Sequence, residues 1–274
     1  MKLIESWRDY ARAVVEVDDL DPTYGFFNKA RQVKGDEWAN RAVLHLLLFY
    51  DLGGAVRAAN DTWEETFWEY VANHYNEAKR GTERRHSRGD LGRRYIANLR
   101  ERGTPMVIME RLHAPVYTEM YRKIEKEFAG CGFGPYFIWK IMDLQDRCLG
   151  RRVTLNMQEA IRYMPDQPRK CAAETFPTHT LEGAIRNVVE AVSDLAAPGD
   201  PNRGCGYSEA ETILCTIHSF FKTKTYNIGD DITKRHKQLA EFPYLARLLP
   251  PQQDWSQYVR STAVDPATLS ADLT

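Results

Sequence analysis

The stretch Cys131-Gly132-Phe133-Gly134-Pro135-Tyr136-Phe137, continuing as Ile138-Trp139-Lys140-Ile141-Met142-Asp143-Leu144-Gln145-Asp146-Arg147, decides how this chain folds. A helix-like run from Tyr117 to Phe128 precedes it, and a second run extends from Pro135 to Leu149. Pro135 suits the first helical position, where a missing N–H costs nothing. Gly150 suits the stop after the last turn. A G-x-G turn between two helices exposes consecutive backbone amides at the start of the second. Orphan donors and partial positive charge there make an anion site, and beside so basic a stretch of chain the obvious anion is a nucleic-acid phosphate.

Within the second run, Tyr136, Lys140, Asp143 and Arg147 fall on one polar stripe, beside an apolar stripe of Phe137, Ile141, Leu144 and Cys148. One reading is surface ion pairs, Asp143 with Lys140 and Arg147, worth only ~0.3–0.5 kcal/mol each. The other is a carboxylate held between cations beside bound phosphate, fit to act as a general base or to orient an amine.

Outward from the hairpin the pattern is helical nearly throughout, and few segments alternate with period two. Trp38 to Ala59 reads as helix with a break at Gly53-Gly54. Thr62 with Glu65, and Ser208 with Glu211, look like capping boxes, the first opening a helix from Thr62 to Ala78. Leu181 to Leu195 is amphipathic and ends at the loop Ala197-Pro198-Gly199-Asp200-Pro201. Asp230 or Asp231 caps a last helix through Leu239. The expectation is a mostly α chain, one two-lobed domain over residues 1–261 with the hairpin at about 117–150, and a flexible polar tail at 262–274.

Net charge is −1, so only local charge informs. Between Lys79 and Arg102 nine Lys/Arg face three Asp/Glu, centred on Thr82-Glu83-Arg84-Arg85-His86-Ser87-Arg88-Gly89. A charge run is commonly a solvated face. These cations are mostly Arg, however, whose planar fork suits phosphate. No apolar run of about 20 residues spans a membrane, and the N-terminus does not read as a signal peptide. Five cysteines without a C-x-x-C pair fit reduced thiols in a cytoplasm. Cys215 and His218 alone do not make a zinc site. His45 in an apolar run reads as a core histidine, and Glu37 as a partner of Arg41.

At Gly130 to Gly150 the chain resembles the helix-hairpin-helix of DNA glycosylases, with Cys131 where the turn usually has Pro. More of it resembles the phage amino acid:DNA transferases, also called α-glutamyl/putrescinyl-thymine pyrophosphorylases. The resembling segments are Lys34-Gly35-Asp36-Glu37-Trp38-Ala39-Asn40-Arg41, Glu83 to Gly89, Gly132 to Lys140, Asp143 to Arg147, and Gly229-Asp230-Asp231-Ile232.

The resemblance implies a DNA-glycosylase-like helical fold. It implies double-stranded DNA carrying 5-hydroxymethyluracil, pyrophosphorylated on its hydroxymethyl group, as substrate. An amino acid or polyamine then displaces pyrophosphate in the cytoplasm of the infected bacterial host. Asp143, Lys140 and Arg147 become the catalytic candidates. Arg84, Arg85, His86, Arg88, Gly132 and Gly134 become the pyrophosphate or DNA-phosphate candidates. Asp230, Asp231, Lys222 and Lys224 would take the amine substrate. Tyr136 and Trp139 would stack on a flipped base, although Trp139 fits a core position better. No cofactor, metal or membrane contact is expected.

Two rival readings remain at this stage. A glycosylase or lyase would use Lys140 as a Schiff-base nucleophile. Its acid is missing from Arg151 to Asn156, where glycosylases carry it, leaving Asp143 or Asp146. A non-catalytic DNA-binding module would keep the basic run alone; the absence of G-x-x-x-x-G-K-[ST] excludes a P-loop kinase.

Overall fold

In the structure, a computed structural model describing residues 2–81 and 88–261, the chain is mostly helical. The helices are α1 (Trp7–Glu16), α2 (Pro22–Lys34), α3 (Asp36–Phe49), α4 (Leu52–Asp61), α5 (Phe67–Asn73), α6 (Gly89–Arg100), α7 (Pro105–Arg111) and α8 (Tyr117–Glu127). They continue with α9 (Pro135–Asp143), α10 (Met157–Tyr163), α11 (Asp166–Thr175), α12 (Leu181–Val192), α13 (Tyr207–Phe221), α14 (Asp230–Gln238) and α15 (Pro243–Ala246). The strands are short: β1 (Lys2–Ile4) pairs in parallel with β4 (Tyr258–Arg260), and β2 (Ala196–Ala197) pairs antiparallel with β3 (Asp200–Gly204). Among the described residues no helix is long and apolar enough to cross a membrane. The expected tail at 262–274 lies outside the described residues.

The chain divides into two compact units, one holding residues 1–25, 155–236 and 249–274, the other 26–154 and 237–248. In the first, α13 packs on α11, α12 and α1. Tyr10 of α1 meets Phe220 of α13 at 4.5 Å, and Trp7 meets Phe176 edge-on at 5.4 Å. In the second, α3 is the central helix. It packs on α4, α7 and the turn after α9, and every residue from Trp38 to Phe49 is buried. A helix enclosed on all sides is expected to be apolar all round. Asn40, Arg41 and His45 break that rule.

Several local expectations are corrected. The break near Gly53-Gly54 falls earlier: Tyr50 turns left-handed at φ 53° and Asp51 caps α4 through the Gly54 amide at 2.7 Å. Thr62 opens no helix; its hydroxyl donates to the Ala58 carbonyl at 2.6 Å, closing α4, and α5 starts at Phe67. The capping box before α13 uses Glu209, whose carboxylate accepts the Gly206 amide at 2.9 Å and pairs with Arg203, rather than Ser208 and Glu211. Arg41 pairs with Glu64 at 3.6 Å, not with Glu37. In each case a partner a few residues away, or across the fold, outcompetes the one sequence spacing suggests. His45 is a core histidine: burial lowers its pKa to about 3, so it is neutral.

Candidate functional site

The hairpin is built by α8, a glycine turn and α9. Gly130 and Gly132 take φ of 83° and 75°, which side chains rarely adopt. Gly132 also leaves no room, since a Cβ there would lie 2.3 Å from the Tyr95 ring. The turn is tied to α6 through its carbonyls: Asn98 donates to Gly130 at 2.7 Å, and Arg102 to Glu127 and Ala129 at 3.1 and 3.0 Å. Phe133 stacks at 5.9 Å on Phe137, and with Tyr95, Phe128, Glu125 and the turn glycines it lines an open cleft of 520 Å³. Gly134 is exposed with nothing within 4 Å of its Cβ position. Tyr136 is half-buried beside Phe137.

From Ile138 to Leu149 every residue is buried, so the polar stripe does not face solvent. Lys140 Nζ lies 3.3 Å from Asp143 Oδ2, their side chains 9% and 0% exposed. The reading as a weak surface pair therefore fails, because a charge pair out of water needs its geometry to offset a desolvation cost of several kcal/mol per ion. Trp139, a stacking candidate by sequence, is fully buried and meets Tyr117 edge-on at 5.7 Å; its place is the core.

The second run is not one uniform helix. Leu144–Cys148 forms a π-helical turn, closed by the Leu149 amide donating to Leu144 at 3.1 Å. The widened turn changes the register of the residues after Asp143, and Asp146 and Arg147 are both buried in it. Asp146 reaches the segment where glycosylases carry their acid, accepting the Val153 amide at 3.4 Å and facing Arg152 at 3.8 Å.

Of the basic run, Arg84, Arg85 and His86 lie outside the described residues, and Arg88 is exposed just before α6. Two neighbouring cations serve the fold. Arg80 lies 4.5 Å over Tyr75 and donates to Ala78 and Tyr75 carbonyls, and Arg102 holds the hairpin.

The amine candidates belong to the first unit. Asp230 is exposed and accepts the Asn227 amide at 2.7 Å; Lys222 is half-buried and Lys224 exposed. Asp231 is half-buried, and burial with Asp21 and Asp230 nearby raises its pKa against the pull of Arg235. The start of α14 is capped from afar. Fully buried Asp19 accepts the Ile232 amide at 2.9 Å, the Gly229 amide at 2.7 Å and the Tyr226 hydroxyl. Burial raises its pKa to about 7. No local signal marks Asp19, because its partners are about 210 residues away.

Two further features of the second unit escaped the sequence. Trp63, in the loop after α4, is 71% exposed, with the buried Arg41 guanidinium 6.0 Å from its ring. Asn40 and Arg151 meet at 3.1 Å beside the π-helical turn. Among the described residues no three His, Cys, Asp or Glu side chains are grouped to hold a metal ion.

The chain is thus mostly helical, with a glycine turn between α8 and α9 that leads into a buried Lys140–Asp143 pair. Residues 36–225 match the family described as amino acid:DNA transferase. The chain is also 29% identical over 257 residues to a protein of Delftia phage PhiW-14 named putrescinyltransferase, covering 89% of this chain and 81% of that one. The chain belongs to the amino acid:DNA transferase family, and is a transferase acting on DNA.

Proposed function

We propose that this transferase hypermodifies phage DNA. It replaces the pyrophosphate of a 5-pyrophosphoryloxymethyl-uracil in double-stranded DNA with an amino acid or polyamine, in the cytoplasm of an infected bacterium. The observation that carries this reading is the family match over residues 36–225, which includes the hairpin and the buried Lys140–Asp143 pair. The similarity to a phage putrescinyltransferase favours a polyamine among the amines.

The exchange breaks the C–O bond to pyrophosphate, whose oxygen keeps the electron pair, and forms a C–N bond to the amine, which loses a proton. Asp143 accepts that proton, and Lys140 holds the carboxylate in place. Arg147 and the Arg84, Arg85, His86 and Arg88 run stabilise charge on the leaving group. The hairpin turn at Gly132 and Gly134, whose Gly134 amide donates to the Gly132 carbonyl at 3.1 Å, meets the DNA backbone as a glycosylase-like hairpin would. Tyr136 stacks on the extruded base. Asp230 and Asp231 take the ammonium group of the amine; Lys222 and Lys224 serve only a donor that also carries a carboxylate.

The test uses purified protein, DNA carrying the pyrophosphorylated base, and a mixture of amino acids and polyamines. Mass spectrometry of the digested nucleosides is expected to show an amine adduct with release of pyrophosphate. Free base in place of the adduct would mean a glycosylase, and an unchanged nucleoside profile would mean a binding module.

A further inference from the structure

The segment Lys34 to Arg41 has no role in the mechanism above, yet it supplies the least expected side chains of the second unit. Asn40 sits on the central helix with no exposure. Its Oδ1 accepts from Arg151 Nη2 at 3.1 Å, and a guanidinium can only donate. The amide orientation is therefore fixed, with Nδ2 turned elsewhere; it is buried and has no hydrogen-bond partner among the described residues. A buried donor without an acceptor is costly and rare in native proteins. Arg31 repeats the pattern: its Nε is buried without a partner.

Arg31 lies against Gly150, and Asn40 is bonded to the residue that follows it, Arg151. The φ of +63° at Gly150 and its lack of a side chain admit Arg31, whose Nη2 would lie 2.8 Å from a Cβ there. The next residue is Arg151, which also donates to Gln145 Oε1 at 3.4 Å. Arg31 thus lies against the residue next to Arg151, and both arginines are half-buried. Burial lowers the Arg151 pKa and Arg31 adds to it, against the pull of Glu110 and Asp36. Among the described residues the carboxylate bonded to Arg31 is Asp36, at 3.1 Å, and it is 69% exposed. An exposed carboxylate on a short side chain is readily displaced.

We infer that Arg31, Asn40 and Arg151 form a binding site for a phosphoryl oxyanion, with Asp36 as its stand-in counter-ion. The acceptors of Asn40 and Gln145 are committed to Arg151, so the site offers donors and positive charge. A uracil-like base would bring an N–H that needs an acceptor, and the carboxylates near these arginines, Asp36 and Glu110, are already drawn to the guanidiniums. A pyrophosphate or DNA phosphate brings acceptor oxygens and negative charge only. The site lies immediately beyond the π-helical turn that follows Asp143. It rests on the transferase reading only for which phosphate fills it.

Inorganic pyrophosphate is titrated calorimetrically into the full chain, and duplex DNA is titrated by fluorescence anisotropy. Arg151→Gln is expected to weaken one of these ligands about tenfold or more. Asp36→Asn is expected to tighten the same ligand by removing the competitor. Loss of pyrophosphate binding assigns the leaving group; loss of duplex affinity alone assigns the DNA backbone. Arg31→Gln, altering a partly exposed side chain, gives the same test if circular dichroism shows Arg151→Gln unfolded. Unchanged affinity for both ligands in a folded Arg151→Gln or Arg31→Gln protein overturns the site. The outcome is independent of whether the enzyme transfers an amine, which the nucleoside assay reads separately.

Discussion

Asp143 and Lys140 are joined where water hardly reaches, so either one alone is a stranded charge. Asp143→Asn keeps volume and removes the base. Amine transfer in a single turnover is expected to fall about 10²–10⁴-fold. Duplex affinity by anisotropy should stay near that of the parent, because a buried carboxylate does not meet the DNA backbone. Parallel loss of DNA binding would assign the pair to the scaffold instead. Asp19 makes a second prediction at this scale. Its carboxyl titrates at about 7 in the folded chain, against roughly 3.9 when unfolded. Between these values the folded protein holds a proton that the unfolded chain has released. The stability contributed by the protonated acid is thus full below about pH 4 and lost as pH rises through about 7. The melting temperature of the parent minus that of Asp19→Asn should fall across this window. A difference that does not change with pH would show that Asp19 has the same pKa folded and unfolded.

Among the elements, the hairpin separates two glycines that look equivalent in the motif. Gly132 combines a left-handed φ with the Tyr95 ring packed on it, whereas Gly134 has an ordinary extended backbone and open space. Gly132→Ala is expected to cost ~1–3 kcal/mol in chemical denaturation. Gly134→Ala should stay within about 0.5 kcal/mol. If both cost alike, the turn is shaped by its neighbours rather than by backbone strain. The helix–turn–helix was legible because proline, glycine and apolar spacing act within a few residues. The burial of Lys140 and Asp143 was not, since an amphipathic pattern says which residues share a face and not what covers it. The π-helical turn was hidden too, as nothing in Leu144-Gln145-Asp146-Arg147-Cys148 marks an added residue per turn. Capping failed where the competing partner came from outside the window: Asp19 for α14, and Thr62 turning back to Ala58.

For the whole molecule, a net charge of −1 gives no general attraction to DNA, so binding must come from local cations. The described part of the basic run is divided: Arg80 and Arg102 are engaged with rings and carbonyls, while Arg88 and Arg94 are exposed. If the run from Arg84 to Arg88 contacts phosphates, each contact releases counter-ions, and affinity falls linearly with salt on logarithmic axes. Replacing Arg84, Arg85 and Arg88 together by Ala should flatten that slope by about three while leaving the melting temperature unchanged. Equal slopes for parent and variant would return the run to a solvated face. DNA affinity would then have to come from the hairpin and the Arg31–Asn40–Arg151 cluster. Combining the triple variant with Arg151→Gln separates those sources, since distant and independent contacts add in free energy and contacts sharing one phosphate do not.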